Sequence, residues 1–309
     1  MKKFKPLGST IMSAIIIISI ASILVSSSFF VSLSTILRVE SQRDISQLNW
    51  ISLALVDYSR WILTADLKGS KGFYSQIDHL SEPWAQRIPF SRLDKLLGGQ
   101  MDEADRVLFS MSGFEGYILD EQGKLNVAGI TDSNKKKQWF KLSLKNLFYI
   151  LKIEESKFIS FYNSLIKNQK NENLHNGYRY KLLINLVNDL NVSDKNKKKL
   201  LEKIVWLPEP TPVNINTASI EVIASIFHEK NLSKLDYLIE TKKKYPFRSI
   251  AEISSTYNFN INNLSGLISN KSNYFSVSGY VQFNKAEKEF FTILKRDKNK
   301  VFAIYEEEV

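Results

Sequence analysis

The first 66 residues show two successive patterns of apolar positions. An uncharged run from Ser9 to Leu37 follows Lys2, Lys3 and Lys5. As a helix this run spans roughly 44 Å, more than the ~30 Å hydrocarbon core of a bilayer. Apolar or small residues then recur every three or four positions, at Ile45, Leu48, Ser52, Leu55, Ser59 and Ile62. Neither Gly nor Pro interrupts residues 9 to 66, so the pattern predicts one helix, apolar all round at first and one-sided later.

Three kinds of N-terminal segment fit this pattern. A secretory signal peptide would be cut after small residues, for which Ser26 to Ser28 are candidates. A signal anchor would keep the whole segment. A type IV prepilin leader would be cut between Gly8 and Ser9, which makes Ser9 the new N-terminus and leaves the apolar helix on the product. The basic residues before Gly8 hold the N-terminus in the cytoplasm, so the body of the chain is expected outside the inner membrane.

A hairpin and then several helices are predicted for the middle of the chain. Apolar segments on either side of Asp120–Lys124 predict two paired strands, with Asp120 and Glu121 exposed at the turn between them. Helical spacing of apolar residues predicts helices over 139–152, 154–168 and 179–190. Ser193 is a predicted N-cap of a fourth helix that ends at Trp206.

A proline-rich linker, Pro208–Pro212, precedes a segment that resembles a helix-hairpin-helix module. Asn216 is the predicted N-cap of its first helix, and the second helix covers residues 233–243. Such modules bind nucleic-acid phosphate through backbone N–H groups of a Gly-rich hairpin. Here the hairpin, His228–Leu232, contains no Gly and carries Glu229, which repels phosphate. The module is therefore expected as a fold without DNA binding.

Alternating apolar residues at the C-terminus predict three strands, over 274–283, 289–295 and 300–305. Short polar turns separate them, so they are expected to form an antiparallel meander. Packing this meander on the one-sided part of the N-terminal helix would bury the apolar faces of both.

Composition argues against several classes of function. Lys and Arg number 42 against 32 Asp and Glu, a net charge of +10. Because Asn and Ile are abundant too, the Lys excess indicates compositional bias, and no nucleic-acid partner is expected. Cys is absent, which excludes disulfides and thiolate chemistry. The three histidines, His79, His175 and His228, are far apart and belong to no catalytic or metal-binding motif. A non-enzymatic protein is predicted.

Several short segments together resemble the minor pseudopilin K family of the type II secretion system, over essentially the full chain. They are the leader with Gly8, Glu82–Ala85, Asp120–Asn126, Val213–Ser219, Pro246–Ser249 and the strand start Tyr274-Phe275. The resemblance implies an α+β, pilin-like fold, in which a long N-terminal transmembrane and amphipathic helix packs on a small antiparallel sheet with a large α-helical insertion. The implied division is a prepilin leader (1–8), the helix (9–66), the first pilin-like strands (67–130), the insertion (131–273, with a helical part 131–207 and a helix-hairpin-helix-like part 213–268) and the C-terminal strands (274–309).

The resemblance also implies a role. The family's members are non-enzymatic subunits at the tip of the periplasmic pseudopilus, which assists export of folded proteins across the outer membrane. The implied partners are minor pseudopilins I and J, the major pseudopilin, inner-membrane lipid and the prepilin peptidase that cuts between Gly8 and Ser9. Most pilin-like subunits carry a Glu five residues after the cleavage point, where this chain has Ser13. The missing carboxylate is expected of a first-assembled subunit, which has no predecessor whose N-terminal amine it must neutralise.

No cofactor is expected. Some relatives bind calcium, and family members often carry a segment of the form Leu-Ile-Asp-Trp-Ile-Asp. In this chain Asn185 and Asn188 stand in place of the two Asp, which argues against calcium because that ion prefers several charged oxygens. The alternative function is a membrane-anchored helix-hairpin-helix DNA-binding protein of a competence-like system, which would use residues 213–253.

Overall fold

A long helix, a five-stranded sheet and a helical insertion make up the fold. The computed structural model describes residues 7–69, 77–97, 102–131, 134–169, 176–257, 266–298 and 300–308. In chain order the elements are α1 (Leu7–Leu67), β1 (Ile88–Arg92), α2 (Leu93–Leu97), α3 (Glu103–Ser110), β2 (Gly113–Asp120), β3 (Leu125–Asn126), α4 (Asn134–Ile150), α5 (Glu155–Gln169), α6 (Asn176–Asn188), α7 (Asp194–Leu201), β4 (Ile204–Val205), β5 (Val213–Asn214), α8 (Ile220–Ile226), α9 (Asp236–Lys244), α10 (Ile250–Tyr257), β6 (Ile268–Ser269), β7 (Tyr274–Phe283), β8 (Ala286–Asp297) and β9 (Lys300–Glu308).

The helix α1 has 61 residues and is continuous, as predicted. Within the described ranges it is the one helix long and apolar enough to cross a membrane by length and composition. Residues 11–40 of this helix are exposed and belong to no packed core in the described part of the chain. The helix ends at Leu67, shortly before Gly69, which has a positive φ of 62° that L residues rarely adopt.

The sheet is antiparallel throughout, with strand order β1-β2-β7-β8-β9. Its three C-terminal strands form the predicted meander. β2 pairs directly with β7, from Gly113 opposite Gln282 to Asp120 opposite Phe275. The chain therefore leaves the sheet after Asp120 and returns to it at Tyr274, and the residues between build the insertion.

One face of the sheet packs on the second half of α1. The helix contributes Leu48, Leu55, Val56, Ile62 and Leu63, and the sheet contributes Ile118, Phe275, Val277, Val281, Phe290 and Leu294. Ser52 and Ser59 lie on the same buried stripe, and each hydroxyl donates to the carbonyl four residues earlier at 2.8 Å. Ile45, which the pattern also placed on the stripe, is 51% exposed. The stripe is thus confirmed except for its first residue. Asp44, one position earlier, is buried instead and accepts a hydrogen bond from Asn284 Nδ2 at 2.9 Å.

Gly279 allows the closest approach within this layer. A Cβ at this position would lie 2.4 Å from Cε1 of Phe290 and 2.7 Å from the carbonyl oxygen of Glu115. The Phe290 ring therefore occupies the space over the glycine on the helix-facing side of β7.

The insertion has its own apolar core, formed by α4 to α10 and the short strands. Two details that the sequence predicted for this part of the chain are wrong. Residues 117–127 do not form a hairpin, because β3 pairs in parallel with β4 while β2 stays with β7. The fourth helix, α7, is capped by Ser193 as predicted but ends at Leu201, since Ile204 and Val205 form β4.

The insertion contacts the opposite face of the sheet through α6. The ring of Tyr180 stacks on Phe291 of β8 with 4.6 Å between centroids, and it lies 5.6 Å from Tyr305 of β9. Lys181 forms an ion pair with Glu307 at 3.0 Å. The sheet therefore lies between α1 on one face and α6 on the other.

Candidate functional site

Five of the sequence segments that resemble the pseudopilin family meet at one place. They are Glu82–Ala85, Asp120–Asn126, Val213–Ser219, Pro246–Ser249 and Tyr274-Phe275. Their polar side chains are largely buried, and they connect the end of α1, the start of β7 and the insertion. We call this group, with Asp66, Asp78, Ser272 and Arg296, the buried polar junction.

Asp120 lies at the centre of the junction. Its Oδ2 accepts hydrogen bonds from Thr217 Oγ1 at 2.5 Å, Ser272 Oγ at 2.6 Å and Asn214 Nδ2 at 3.0 Å. Its Oδ1 accepts from the Gln122 N–H at 2.8 Å. Burial raises the pKa of Asp120 to about 6, although the hydrogen bonds favour its charged form. The predicted exposed turn position is therefore wrong, because Asp120 is 7% exposed.

Asn214 joins three separate parts of the chain. Its Nδ2 donates to the Asp78 carbonyl at 3.1 Å and to Ser272 Oγ at 2.9 Å, besides Asp120. Its Oδ1 accepts from the Asn216 N–H at 3.0 Å. β5, which carries Asn214, pairs in parallel with β6. One amide thus holds the loop before β1, the end of β2 and the insertion together.

Asn216 and Lys242 hold the turn that follows β5, at residues 215–218, against the rest of the insertion. Asn216 Nδ2 donates to the Phe247 carbonyl at 3.1 Å, and Asn216 Oδ1 accepts from the Phe247 N–H at 2.9 Å. The prediction that Asn216 caps the next helix is wrong, because Ser219 occupies the N-cap position of α8. The buried Lys242 Nζ donates to the carbonyls of Ile215, at 3.0 Å, and Ala218. Burial lowers the pKa of Lys242 to about 7.

Arg296 of β8 connects the end of α1 to the junction. Its Nη1 donates to Asp78 Oδ1 at 2.6 Å and its Nη2 donates to Asp66 Oδ2. Asp78 Oδ2 accepts in turn from the Ser272 N–H at 2.7 Å. The guanidinium also lies over the Phe275 ring, 4.4 Å from its centroid. All three ionic side chains are buried, so each ion pair is shielded from solvent.

The Glu82-Pro83-Trp84-Ala85 segment forms a 3-10 turn against the sheet. Glu82 Oε2 accepts from the His79 N–H at 2.7 Å and from Trp84 Nε1 at 2.8 Å. The Trp84 ring packs edge-on against Phe275, with 5.1 Å between centroids. Burial raises the pKa of Glu82 to about 8, and burial also raises the pKa of Asp66.

Glu121 and Gln122 make a further group of contacts on the side of the junction nearest β7. Glu121 is 0% exposed, and its carboxylate accepts from Ser276 Oγ at 2.6 Å and from Lys124 Nζ at 2.8 Å. The exposed turn position predicted for Glu121 is therefore wrong as well. Gln122 Oε1 accepts from the Asn273 N–H at 2.6 Å, next to the first residue of β7. Because these carboxylates and amides are engaged by protein donors, the arrangement suits holding elements in place.

Sequence reasoning missed Asp66, Asp78, Ser272 and Arg296. For Asp66 a signal existed, because it follows Ile62 by four residues and so continues the buried stripe of α1. Arg296 follows the apolar core of β8, but local sequence does not reveal the partners of Arg296 or of Asp78. The two partners of Arg296, Asp78 and Asp66, lie more than two hundred positions before it along the chain.

The predicted processing residues lie at the start of α1. Gly8 and Ser9 are helical, since α1 begins at Leu7. Residues 1–6 of the leader and His175 lie outside the described residues. His79 is buried, and burial lowers its pKa.

In the hairpin of the helix-hairpin-helix-like part, backbone N–H groups donate hydrogen bonds to side chains of the same loop. The Asn231 N–H donates to Glu229 Oε1 at 2.9 Å, and the Ser233 N–H donates to Asn231 Oδ1 at 3.1 Å. His228 has a positive φ of 53°, and its ring lies 5.5 Å from that of Trp139 of α4. Two backbone N–H groups at this hairpin therefore already donate to side-chain oxygens of the same loop.

The segment Leu183–Asn188, in which asparagines stand in place of two aspartates, lies on α6. Asn185 and Asn188 are exposed on α6 and offer neutral amide oxygens, while Leu183 and Val187 face the core. Among the described residues, no group of three or more His, Asp or Glu is arranged to hold a metal ion. The donor chemistry at this segment is therefore unsuited to a hard divalent cation.

The α1 helix, the antiparallel sheet and the inserted helices define an α+β, pilin-like fold. This fold is similar to a chain in the crystal structure of the GspK-GspI-GspJ complex from the enterotoxigenic Escherichia coli type 2 secretion system. The TM-score is 0.61 at 15% sequence identity, and the match covers 88% of this chain and 99% of that chain. No family model and no curated protein matches the sequence. The likeness therefore confirms the predicted fold.

Proposed function

We propose that this chain is a non-enzymatic minor pseudopilin of a type II secretion system. It is located at the pseudopilus tip, where it assists assembly and the export of folded proteins across the outer membrane, and it needs no cofactor. The observation that carries the proposal is the buried polar junction. Segments scattered along the sequence, on which the family resemblance rests, converge there and fix a helical insertion on a pilin-like sheet.

The N-terminus supports the same role. Cleavage between Gly8 and Ser9 would remove little of α1 and leave Ser9 as the first residue of an almost intact helix. Cleavage near Ser28 would instead remove most of its exposed apolar part. The proposal keeps the division of the chain into leader (1–8), helix (9–66), first strands (67–130) and insertion (131–273), except that the insertion already begins after Asp120, where the chain leaves the five-stranded sheet. The retained helix anchors the protein once in the inner membrane, with its body in the periplasm.

Position 13 favours the tip over the shaft. A buried ammonium without a counter-charge is costly, so a shaft subunit needs a carboxylate for its predecessor's N-terminal amine. Ser13 carries no charge, which suits a subunit that has no predecessor. The insertion argues the same way, since a body of that size beside the sheet would obstruct subunits stacked above it.

Past the apolar run, α1 keeps a free face on which partners can pack. Trp50, Leu53 and Trp61 are exposed there, and Tyr58 stacks on Trp61 with 5.9 Å between centroids. They lie on the side of the helix away from the buried stripe. The proposed occupants are the helices of minor pseudopilins I and J, and of the major pseudopilin further down the filament.

A DNA-binding role is the weaker candidate. Side-chain oxygens of Glu229 and Asn231 already accept hydrogen bonds from the N–H groups of Asn231 and Ser233 at the hairpin. Phosphate would have to displace the Glu229 carboxylate, a group of like charge, before it could bind.

Site-specific photocrosslinking in secreting cells tests the proposal. A crosslinker at Trp61 is expected to capture minor pseudopilins I and J, whereas one at Ser160, on the exposed face of α5, serves as a control for proximity alone. The chain should be found at one end of isolated pseudopili. Labelling at regular intervals along the filament would overturn the tip assignment, and failure to capture any pseudopilin from Trp61 would overturn the proposed assembly.

A further inference from the structure

Within the described part of the chain, the carboxyl groups of Asp66 and Glu82 each keep one oxygen without a hydrogen-bond donor. Asp66 Oδ1 and Glu82 Oε1 are both buried, and neither accepts a hydrogen bond from a donor among the residues that the structure describes. Their other oxygens are engaged by Arg296 and by the His79 N–H and Trp84 indole, respectively. The two carboxyls lie within hydrogen-bonding contact of one another. Such a contact is a hydrogen bond only when one of the two groups carries a proton.

The charges around this pair favour keeping that proton. Among the described residues, the ionisable groups facing it are Asp66 of α1, Asp78, His79 and Glu82 of the loop before β1, Arg296 of β8 and, through Asp78, Asp120 of β2. Fully ionised, three carboxylates would share the single guanidinium in a desolvated site, at a high cost in free energy. His79 cannot offset this charge at neutral pH, because burial lowers its pKa.

We propose that Glu82 is protonated at neutral pH and donates a hydrogen bond to Asp66, so that one proton fastens the end of α1 to the loop before β1. Glu82 is the donor because it forms no ion pair with a cation in the described ranges, whereas Asp66 pairs directly with Arg296. Burial raises the pKa of Glu82 to about 8, in agreement with this assignment.

The hydrogen bond from Glu82 to Asp66 is lost as the solution becomes alkaline. In the unfolded chain Glu82 loses its proton near its ordinary pKa of 4.5, but in the folded chain it holds the proton until about 8. The proton's contribution to stability is therefore complete below pH 4.5, falls as the pH rises to about 8 and is lost above that. Asp120 acts in the same direction up to about 6, while Lys242, with its lowered pKa, acts in the opposite direction above about 7.

Comparison with Glu82→Gln separates this proton from the titration of Asp120 and Lys242, which both proteins share. The glutamine amide can donate to Asp66 and accept from His79 and Trp84 at any pH. The folding equilibrium constants of the full chain in detergent are measured by urea unfolding with tryptophan fluorescence. The folding equilibrium constant of the wild type, divided by that of Glu82→Gln, is expected to fall ~tenfold per pH unit between about pH 5 and about pH 8. Above that range the ratio should level off. A ratio that is constant or rises with pH contradicts the proposal.

Infrared spectroscopy of the wild-type chain gives a test that does not depend on the variant folding. Isotope-labelled glutamate shifts the carbonyl band of a protonated Glu, which separates it from protonated Asp. The labelled band is expected at neutral pH and should disappear with a midpoint near 8. A spectrum without a protonated Glu at neutral pH overturns the proposal.

Discussion

Replacing Asn214 with alanine is expected to destabilise the folded chain by about 3 to 5 kcal/mol. The Nδ2 hydrogens bond to the Asp78 carbonyl, Asp120 and Ser272, and Oδ1 accepts from the Asn216 N–H. Two amide hydrogens and one oxygen amount to roughly three hydrogen bonds, each with a net value of about 1 kcal/mol. Leaving buried partners without a hydrogen bond adds about 1 to 3 kcal/mol for each group that finds no replacement.

Urea unfolding of the full chain in detergent, followed by tryptophan fluorescence, measures this loss. Asn185→Ala is the matched control, because Asn185 is exposed on α6, and its effect should stay within about 0.5 kcal/mol. Hydrogen exchange adds a second readout, since residues 213–219 and the start of β7 should lose protection together in Asn214→Ala. A loss below about 1 kcal/mol, or lost protection in the insertion alone, would show that Asn214 does not join the two parts of the fold.

Two further predictions address the sheet and the membrane helix. Gly279→Val forces a side chain into the space of the Phe290 ring and should lower the free energy of unfolding by about 1 to 3 kcal/mol or more. Ser278→Val, on the opposite face of β7, is the control. Equal melting temperatures for both variants would contradict the packing argument. Ile17→Lys places a charge in the apolar run at about 2.5 to 3.5 kcal/mol, so the processed protein should be lost from carbonate-washed membranes. Ser46→Lys, beyond the apolar run, should be retained, and retention of both variants would refute the membrane-spanning role of the run.

Local periodicity was enough to predict the elements that carry one continuous pattern. The stripe from Leu48 to Ile62 and the alternation in β7 depend only on neighbouring residues, so the helix, the meander and their contact follow from sequence. Asp120 was misplaced because Asp-Glu-Gln-Gly is a sequence that also favours an exposed turn. Its actual environment is created by Asn214, Thr217 and Ser272, which the fold brings from distant segments.

The short parallel pairs could not have been predicted by the same means. β3 and β4 contribute two residues each and are separated along the chain by the four helices α4 to α7, so no local period marks their pairing. The segments on which the family resemblance rests did identify the junction's residues, but not their contacts. Their burial together explains why residues of such different local structure belong to one site.

The central claim is that α1 remains on the mature protein as the helix of a pilin-like subunit. Intact-mass and N-terminal analysis of the chain purified from membranes tests it most directly. The account predicts a mature chain that begins at Ser9, and a Gly8→Val variant that stays uncut because a side chain replaces the hydrogen the peptidase is expected to require. A soluble product beginning near Ser28, or a wild-type chain that remains uncut in cells with an active prepilin peptidase, would contradict it.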